Sequence, residues 1–271
     1  MKAAILVITG LFLVGVAVAD VSDFDTTPFA PGFYLQGYPA YMTASKIYDA
    51  NGDAQDMGDT WSAINFSLRP TYCGMINQNR WQVSASVPFT SFNPPIGETQ
   101  SGIGDVQLSA AYWILDDHRQ GNYFSFWLWS DLPTGDDTKG LGTGQLNLRP
   151  GLAYAMERFP YQVQASAYYN LRMKDSDELK PGDEIWGNFA FGYGVNEYAA
   201  IGLDAETGWG QDWKYNSTSI SDSKSQWFRV GPSFEYQVNP NVGLKLKGLY
   251  NVMGTNSPQS IDIWARVNWG F

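Results

Sequence analysis

The chain alternates between apolar and polar residues along much of its length. Over Ile261–Phe271 the odd positions are Ile, Ile, Ala, Val, Trp and Phe, and the even positions are Asp, Trp, Arg, Asn and Gly. A period of two places the apolar set on one face of an extended strand and the polar set on the other. The pattern recurs. Trp61–Cys73 sets Ile64, Phe66, Leu68, Pro70 and Tyr72 against Asn65, Ser67, Arg69 and Thr71. Arg80–Phe89 sets Trp81, Val83, Ala85 and Val87 against Gln82, Ser84 and Ser86. Asp105–Ile114 puts Val106, Leu108, Ala110 and Tyr112 on its apolar face. Further strands are predicted over Phe33–Tyr48, Tyr123–Leu132, Gln145–Met156, Tyr161–Lys174, Ile185–Val195, Ala199–Tyr215, Gln226–Val238 and Val242–Met253. The sum is about twelve strands, with no fixed repeat length that would indicate a solenoid or a propeller.

The connections alternate in length. Short turns such as Glu157–Pro160, Asn196-Glu197 and Asn239-Pro240-Asn241 alternate with longer segments rich in Gly, Asp and Ser, among them Asp49–Asp59, Gly135–Gly144 and Asn216–Ser225. Strands of about ten residues with one apolar face, joined this way, predict an all-β, transmembrane, antiparallel up-and-down β-barrel. Short periplasmic turns, longer extracellular loops and an even strand count put both termini in the periplasm of a bacterial outer membrane. An edge strand of a soluble sandwich would also alternate, but it would not account for the recurrence. The apolar face of the last strand ends in Trp269 and Phe271, where an aromatic girdle meets the membrane interface.

The first residues are read separately. Lys2 precedes the nearly continuous apolar run Ala3–Val18, and Ala17-Val18-Ala19 is a small-residue cleavage site before Asp20. Residues 1–19 therefore read as a secretory signal peptide, 20–31 as a periplasmic lead-in and 32–271 as the barrel. Mean hydropathy is −0.27. Alternating strands hide their apolar face from such an average. Aromatic residues make up 15% of the chain, with 11 Trp and 16 Tyr, and these rings suit the interfaces and the lumen. The formal net charge of −10 argues against a nucleic-acid partner. One cysteine, Cys73, excludes an internal disulfide framework. The expected partners are outer-membrane lipids and lipopolysaccharide, with small organic solutes. No cofactor or metal is implied. The acidic loop Asp49–Asp59 does not match an EF-hand.

Several short motifs carry a family resemblance. Val87-Pro88-Phe89 ends one strand, Gly102-Ile103-Gly104-Asp105 opens the next, and Leu132-Pro133-Thr134-Gly135 closes another. Gly142-Thr143-Gly144 then leads into Arg149-Pro150-Gly151-Leu152-Ala153-Tyr154. The chain thus resembles the outer-membrane β-barrel proteins of the meta-pathway of phenol degradation family, described as transporters. The resemblance implies uptake of small aromatic or hydrophobic compounds. These Gly/Pro motifs mark bends and turns and carry no chemistry of their own. A closing Phe such as Phe271 also resembles the signal that the barrel assembly machinery reads.

If the apolar faces meet lipid, the opposite faces point inward. That phase assigns Arg69, Arg80, Arg149, Arg172, Arg229, Lys245, Lys247 and Arg266 to the lumen, with Asp105, Asp204, Glu206, Glu235 and Asp262. It also assigns Trp113, Trp127, Trp129, Trp186 and Trp264. The charges either line a pore or pair and brace a filled interior. The indoles either stack aromatic solutes or fill volume. A channel or transporter for small organic solutes is the leading reading. A structural or adhesive barrel is the alternative. A lipid-modifying barrel enzyme is disfavoured, because the single histidine, His118, falls in a predicted periplasmic turn, away from the outer leaflet. One expectation is directly measurable: intact-mass analysis of protein from outer membranes should give a chain beginning at Asp20, and a mass that keeps residues 1–19 would refute the cleavage.

Overall fold

Twelve long strands form one antiparallel sheet that closes on itself in the computed structural model, which describes residues 26–175 and 178–271. The expected signal peptide lies outside the described residues. The strands are β1 (Gly32–Tyr48), β2 (Ala54–Ile76), β3 (Asn79–Asn93), β4 (Gln107–Asp117), β5 (Asn122–Asp131) and β6 (Asn147–Arg158). They continue with β7 (Tyr161–Arg172), β8 (Glu184–Gly194), β9 (Ala199–Gly210), β10 (Gln226–Asn239), β11 (Val242–Thr255) and β12 (Ile261–Gly270). Each strand pairs with its sequence neighbours. Strand β1 closes the ring by pairing β2 on one edge, from Gly32↔Cys73 to Tyr48↔Ala54, and β12 on the other, from Tyr34↔Gly270 to Thr43↔Ile261. This is a twelve-stranded up-and-down barrel, and no described helix is long and apolar enough to cross a membrane.

Burial follows the alternation with its usual sign inverted. On β2, Ile64 is 59% exposed and Phe66 42%, whereas Ser67 and Arg69 are 2% and 1% exposed. Phe89, Leu108, Leu128, Phe189, Leu203, Leu246 and Ile263 continue the exposed apolar band around the ring. A water-soluble domain does not present a continuous apolar belt of this extent; a barrel whose outer wall meets lipid does. Trp269 and Phe271 lie on the outer face, their rings stacked at 5.4 Å, and Phe271 also meets Phe33 at 5.7 Å.

The alternating connection lengths are present. Residues 77–78, 118–121, 159–160, 195–198 and 240–241 make the turns at one end, which also holds Gly32 and Gly270. Long segments 94–106, 132–146 and 211–225, with the described residues of 173–183, crowd the other end. Two strands depart furthest from their expected bounds, for physical reasons. Strand β2 starts at Ala54, inside the expected loop Asp49–Asp59, because Lys46↔Asp56 and Tyr48↔Ala54 extend the hairpin. Both of its faces are wet there, so no alternation marks it. The expected strand Ala199–Tyr215 breaks after Gly210, because Asp212 turns the chain by accepting the Ser223 and Lys224 amides at 3.2 and 3.0 Å. Lys214–Tyr215 instead pairs with Leu179–Lys180 and Thr218–Ser219 in a small separate sheet.

Closed hydrogen bonding predicts heat-modifiable migration, with boiled and unboiled samples separating in SDS gels. Replacing Leu246, which is 49% exposed on the outer wall, with Arg should impair membrane insertion at a cost of up to about 2–4 kcal/mol near the midplane. A harmless Leu246→Arg in a liposome folding assay would invert the inside-outside assignment.

Candidate functional site

Each strand sends every second side chain inward, so the interior is assembled from residues far apart in sequence. The wall made by β9–β12 is charged. Lys245 Nζ lies 3.1 Å from Asp204 Oδ1 and 3.3 Å from Glu235 Oε1. Lys247 bonds Glu206, which also takes Arg229 at 2.7 Å, and Arg229 reaches Asp262 at 2.5 Å. Lys247 stands 5.9 Å over the Trp264 ring and Arg229 4.4 Å over Trp227. Asp204, Glu206, Asp262, Lys245 and Lys247 are essentially sealed from solvent. Charges so buried are tolerated because each acid meets a cation across one or two strands.

The remaining cations sit around the rest of the ring. Arg149 bonds Asp131 at 2.5 Å. Arg172 bonds Glu184 at 2.7 Å, and the same carboxylate accepts Trp186 Nε1 at 2.7 Å. Arg69 donates from Nε to Gln36 Oε1 at 2.7 Å, and Gln36 donates to Asn268 at 3.1 Å. At the short-turn end, Arg80 donates to Asp116 at 2.7 Å and to the Pro28 carbonyl at 2.8 Å. His118 is committed there too, 3.2 Å from both Arg80 and Asp116. Arg266 and Glu235 border a cavity of about 470 Å³ at this end, shared with Glu157, Gln164 and Asn268. The described part of the lead-in turns back into this mouth. Trp113 Nε1 donates to the Thr26 carbonyl at 3.1 Å, and Thr27 Oγ1 donates to Glu157 at 2.6 Å.

The opposite wall is aromatic. Trp113 meets Trp127 edge-on at 5.7 Å, and Trp127 stacks on Trp129 at 5.8 Å. Trp129 lies between two guanidinium groups, Arg69 at 5.5 Å and Arg149 at 5.8 Å. Arg69 springs from β2 and Trp129 from β5, so this contact is a chord across the lumen. Farther round, Trp186 meets Tyr168 and Trp227, each at 5.6 Å.

Asp105 departs from its expected place on a strand face. Strand β4 begins only at Gln107, and the Asp105 carboxylate gathers the two long loops 94–106 and 132–146. It accepts the amides of Thr134 (3.1 Å), Gly135 (2.9 Å) and Thr143 (2.7 Å), and the Thr143 hydroxyl (2.8 Å). The three Gly-rich motifs therefore meet in one knot, whereas the sequence shows them only as separate bends. A Cβ on Gly135 or Gly142 would come within 2.8 Å of backbone, which is why bare glycine stands at both positions. The knot carries Leu141 into the barrel, where it is 4% exposed among Met42, Trp61, Ala63, Phe92 and Trp264.

Sequence phase missed several inward residues. Trp61 and Tyr168 share the phase of assigned neighbours and were findable. Gln36 and Tyr38 lie on β1, where alternation is weak. Leu141 lies in a loop, where no phase exists. Among the described residues, no group of three or more His, Cys, Asp or Glu is disposed to hold a metal ion. The ion-pair wall has a measurable consequence. Lys247→Met leaves Glu206 buried with one partner fewer and should cost about 3–5 kcal/mol of barrel stability in a urea titration. Adding Glu206→Gln should recover part of the loss, because Arg229 keeps Asp262.

With this geometry established, comparisons with known proteins show what the chain resembles. The crystal structure of an outer membrane channel from Pseudomonas putida F1 superposes with a TM-score of 0.83 at 14% identity, covering 93% of this chain and 100% of that one. The translocator domain of the autotransporter NalP from Neisseria meningitidis gives 0.51 at 10% identity, covering 100% and 97%. The β domain of the Bordetella autotransporter BrkA gives 0.53 at 12% identity, covering 90% and 100%. At such identities the likeness is one of fold. No curated protein matches in sequence. A family model matches residues 44–267, which span most of the barrel, so the chain belongs to the family described as "Putative MetA-pathway of phenol degradation".

Proposed function

We propose that this protein is an outer-membrane channel that passes small organic solutes, with an interior suited to aromatic compounds. The observation that carries the reading is the Trp113–Trp127–Trp129 ladder, whose last ring is flanked by Arg69 and Arg149. A planar solute gains from stacking on such rings, and an electron-rich ring gains further beside a guanidinium. The ion pairs of β9–β12 then brace the wall opposite the ladder. Family membership and the likeness to a channel support transport. The termini and short turns face the periplasm in this reading. Outer-membrane lipids and lipopolysaccharide surround the wall, and Phe271 serves as the assembly signal. No catalysis is assigned, since His118 is engaged by Arg80, Asp116 and Tyr123.

Uptake measured in cells tests this. Expression should raise entry of labelled benzyl alcohol several-fold over cells lacking the protein, with no comparable gain for xylose. Trp129→Ala should remove most of the gain while the barrel still folds. No difference between expressing and non-expressing cells would leave a structural or adhesive barrel. Equal gains for both solutes would make it a general porin.

A further inference from the structure

At the long-loop mouth an apolar side chain from a loop, Leu141, is buried inside the barrel. Loop 132–146 joins β5 to β6, yet its Leu141 packs on residues of β1, β2, β3 and β12, nearly across the ring. Loops ordinarily stay at the surface, where water satisfies their amides. This one runs inward and is compensated by a buried carboxylate. Asp105 takes up three of the amides around the bend, and its neighbouring glycines leave room for the crossing. Gly102 lies directly against Leu141 Cδ1, so the loop and the 94–106 segment close on each other. Within the loop, the short 3-10 turn Asp137–Lys139 and the bond from Leu141 N–H to the Asp136 carbonyl at 2.9 Å hold the side chain's approach.

We infer that Leu141 is the specificity-determining residue of the conduit, completing an apolar ring with Met42, Trp61, Phe92 and Trp264, and that Asp105 is the positioning residue that holds it there. The inference rests on the channel reading and adds the filter to it. A hydrated ion or a sugar must shed water to cross the ring, where the indole N–H groups of Trp61 and Trp264 are the sole polar side-chain groups among its five members. A small aromatic or aliphatic solute loses nothing and gains contact area. The ring precedes the aromatic ladder for a solute arriving from the long-loop end. The order of the two layers matches a desolvation step followed by a stacking track.

Thiol labelling separates the filter from the channel. Ser67 faces inward on β2, below the layer of Trp61 and Ala63, and is 2% exposed. In a Cys73→Ser background, a cysteine placed by Ser67→Cys is offered a sulfonate-bearing methanethiosulfonate or N-phenylmaleimide on intact cells. Each rate is normalised to the unfolded protein. With Leu141 in place, the uncharged aromatic reagent should react at least tenfold faster than the charged one. Leu141→Ser should raise the charged rate about tenfold and abolish the preference. Asp105→Asn should do the same while leaving Leu141 intact, and heat-modifiable migration identifies which variants are folded. Should Leu141→Ser misfold, Leu141→Ala takes its place. An unchanged charged rate in folded variants overturns the inference. Planar-bilayer conductance in KCl supplies the independent arm. Faster labelling with raised conductance supports filter and channel together. Faster labelling with unchanged conductance keeps the Leu141 closure and removes the through-going channel.

Discussion

One constraint governs this molecule: a backbone in hydrocarbon must satisfy all of its N–H and C=O groups internally. The pairing of β1 with β12 meets it by joining the two ends of the sheet, through Tyr34↔Gly270 to Thr43↔Ile261. Without that seam the sheet would present two open edges to lipid. Once the ring is closed, the alternation of side chains fixes which residues meet lipid and which meet the interior. A one-residue slip would exchange the two sets, so the register along β11, where leucines alternate with Lys245 and Lys247, is strongly specified.

Closure also forces the charges inward, and the interior must then solve a problem of its own. Cations and acids brought together in a space shielded from bulk water are stable only when paired. The wall of β9–β12 shows the solution, with Glu206 shared between Lys247 and Arg229, and Arg229 shared in turn with Asp262. The opposite wall carries stacked rings beside the Arg149–Asp131 pair, and Arg69 reaches across to Trp129. The result is a lumen with one polar, locked side and one aromatic side.

The two mouths are shaped by different devices. At the short-turn end, residues 26–31 are held by Arg80, Trp113 and Glu157, beside a cavity that Arg266 and Glu235 border. At the long-loop end, one buried carboxylate replaces the water that the amides of an inward-running loop would otherwise bind. Asp105 thus does for loop 132–146 what the strand ladder does for the wall.

Alternation along the chain was enough to determine the barrel, its approximate strand count and, where a strand alternates clearly, the side of the wall on which its residues lie. Those properties depend only on local periodicity and on the absence of water in lipid. Arg69, Lys245 and Trp129 could be assigned inward because each is out of phase with apolar neighbours one position away. Pairing could not be read the same way. Whether Lys247 meets Glu206, or Arg69 meets Trp129, depends on stagger between strands and on chords across the lumen, which no single strand encodes. The wet hairpin tip of β2 left no alternation to read, and Asp212 broke the expected ninth strand through contacts made ten and more residues downstream. The glycine motifs were visible as turns, but their meeting around Asp105, and the burial of Leu141 that follows, belong to tertiary structure alone. A loop has no periodicity, so the destination of its side chains is set by what it packs against.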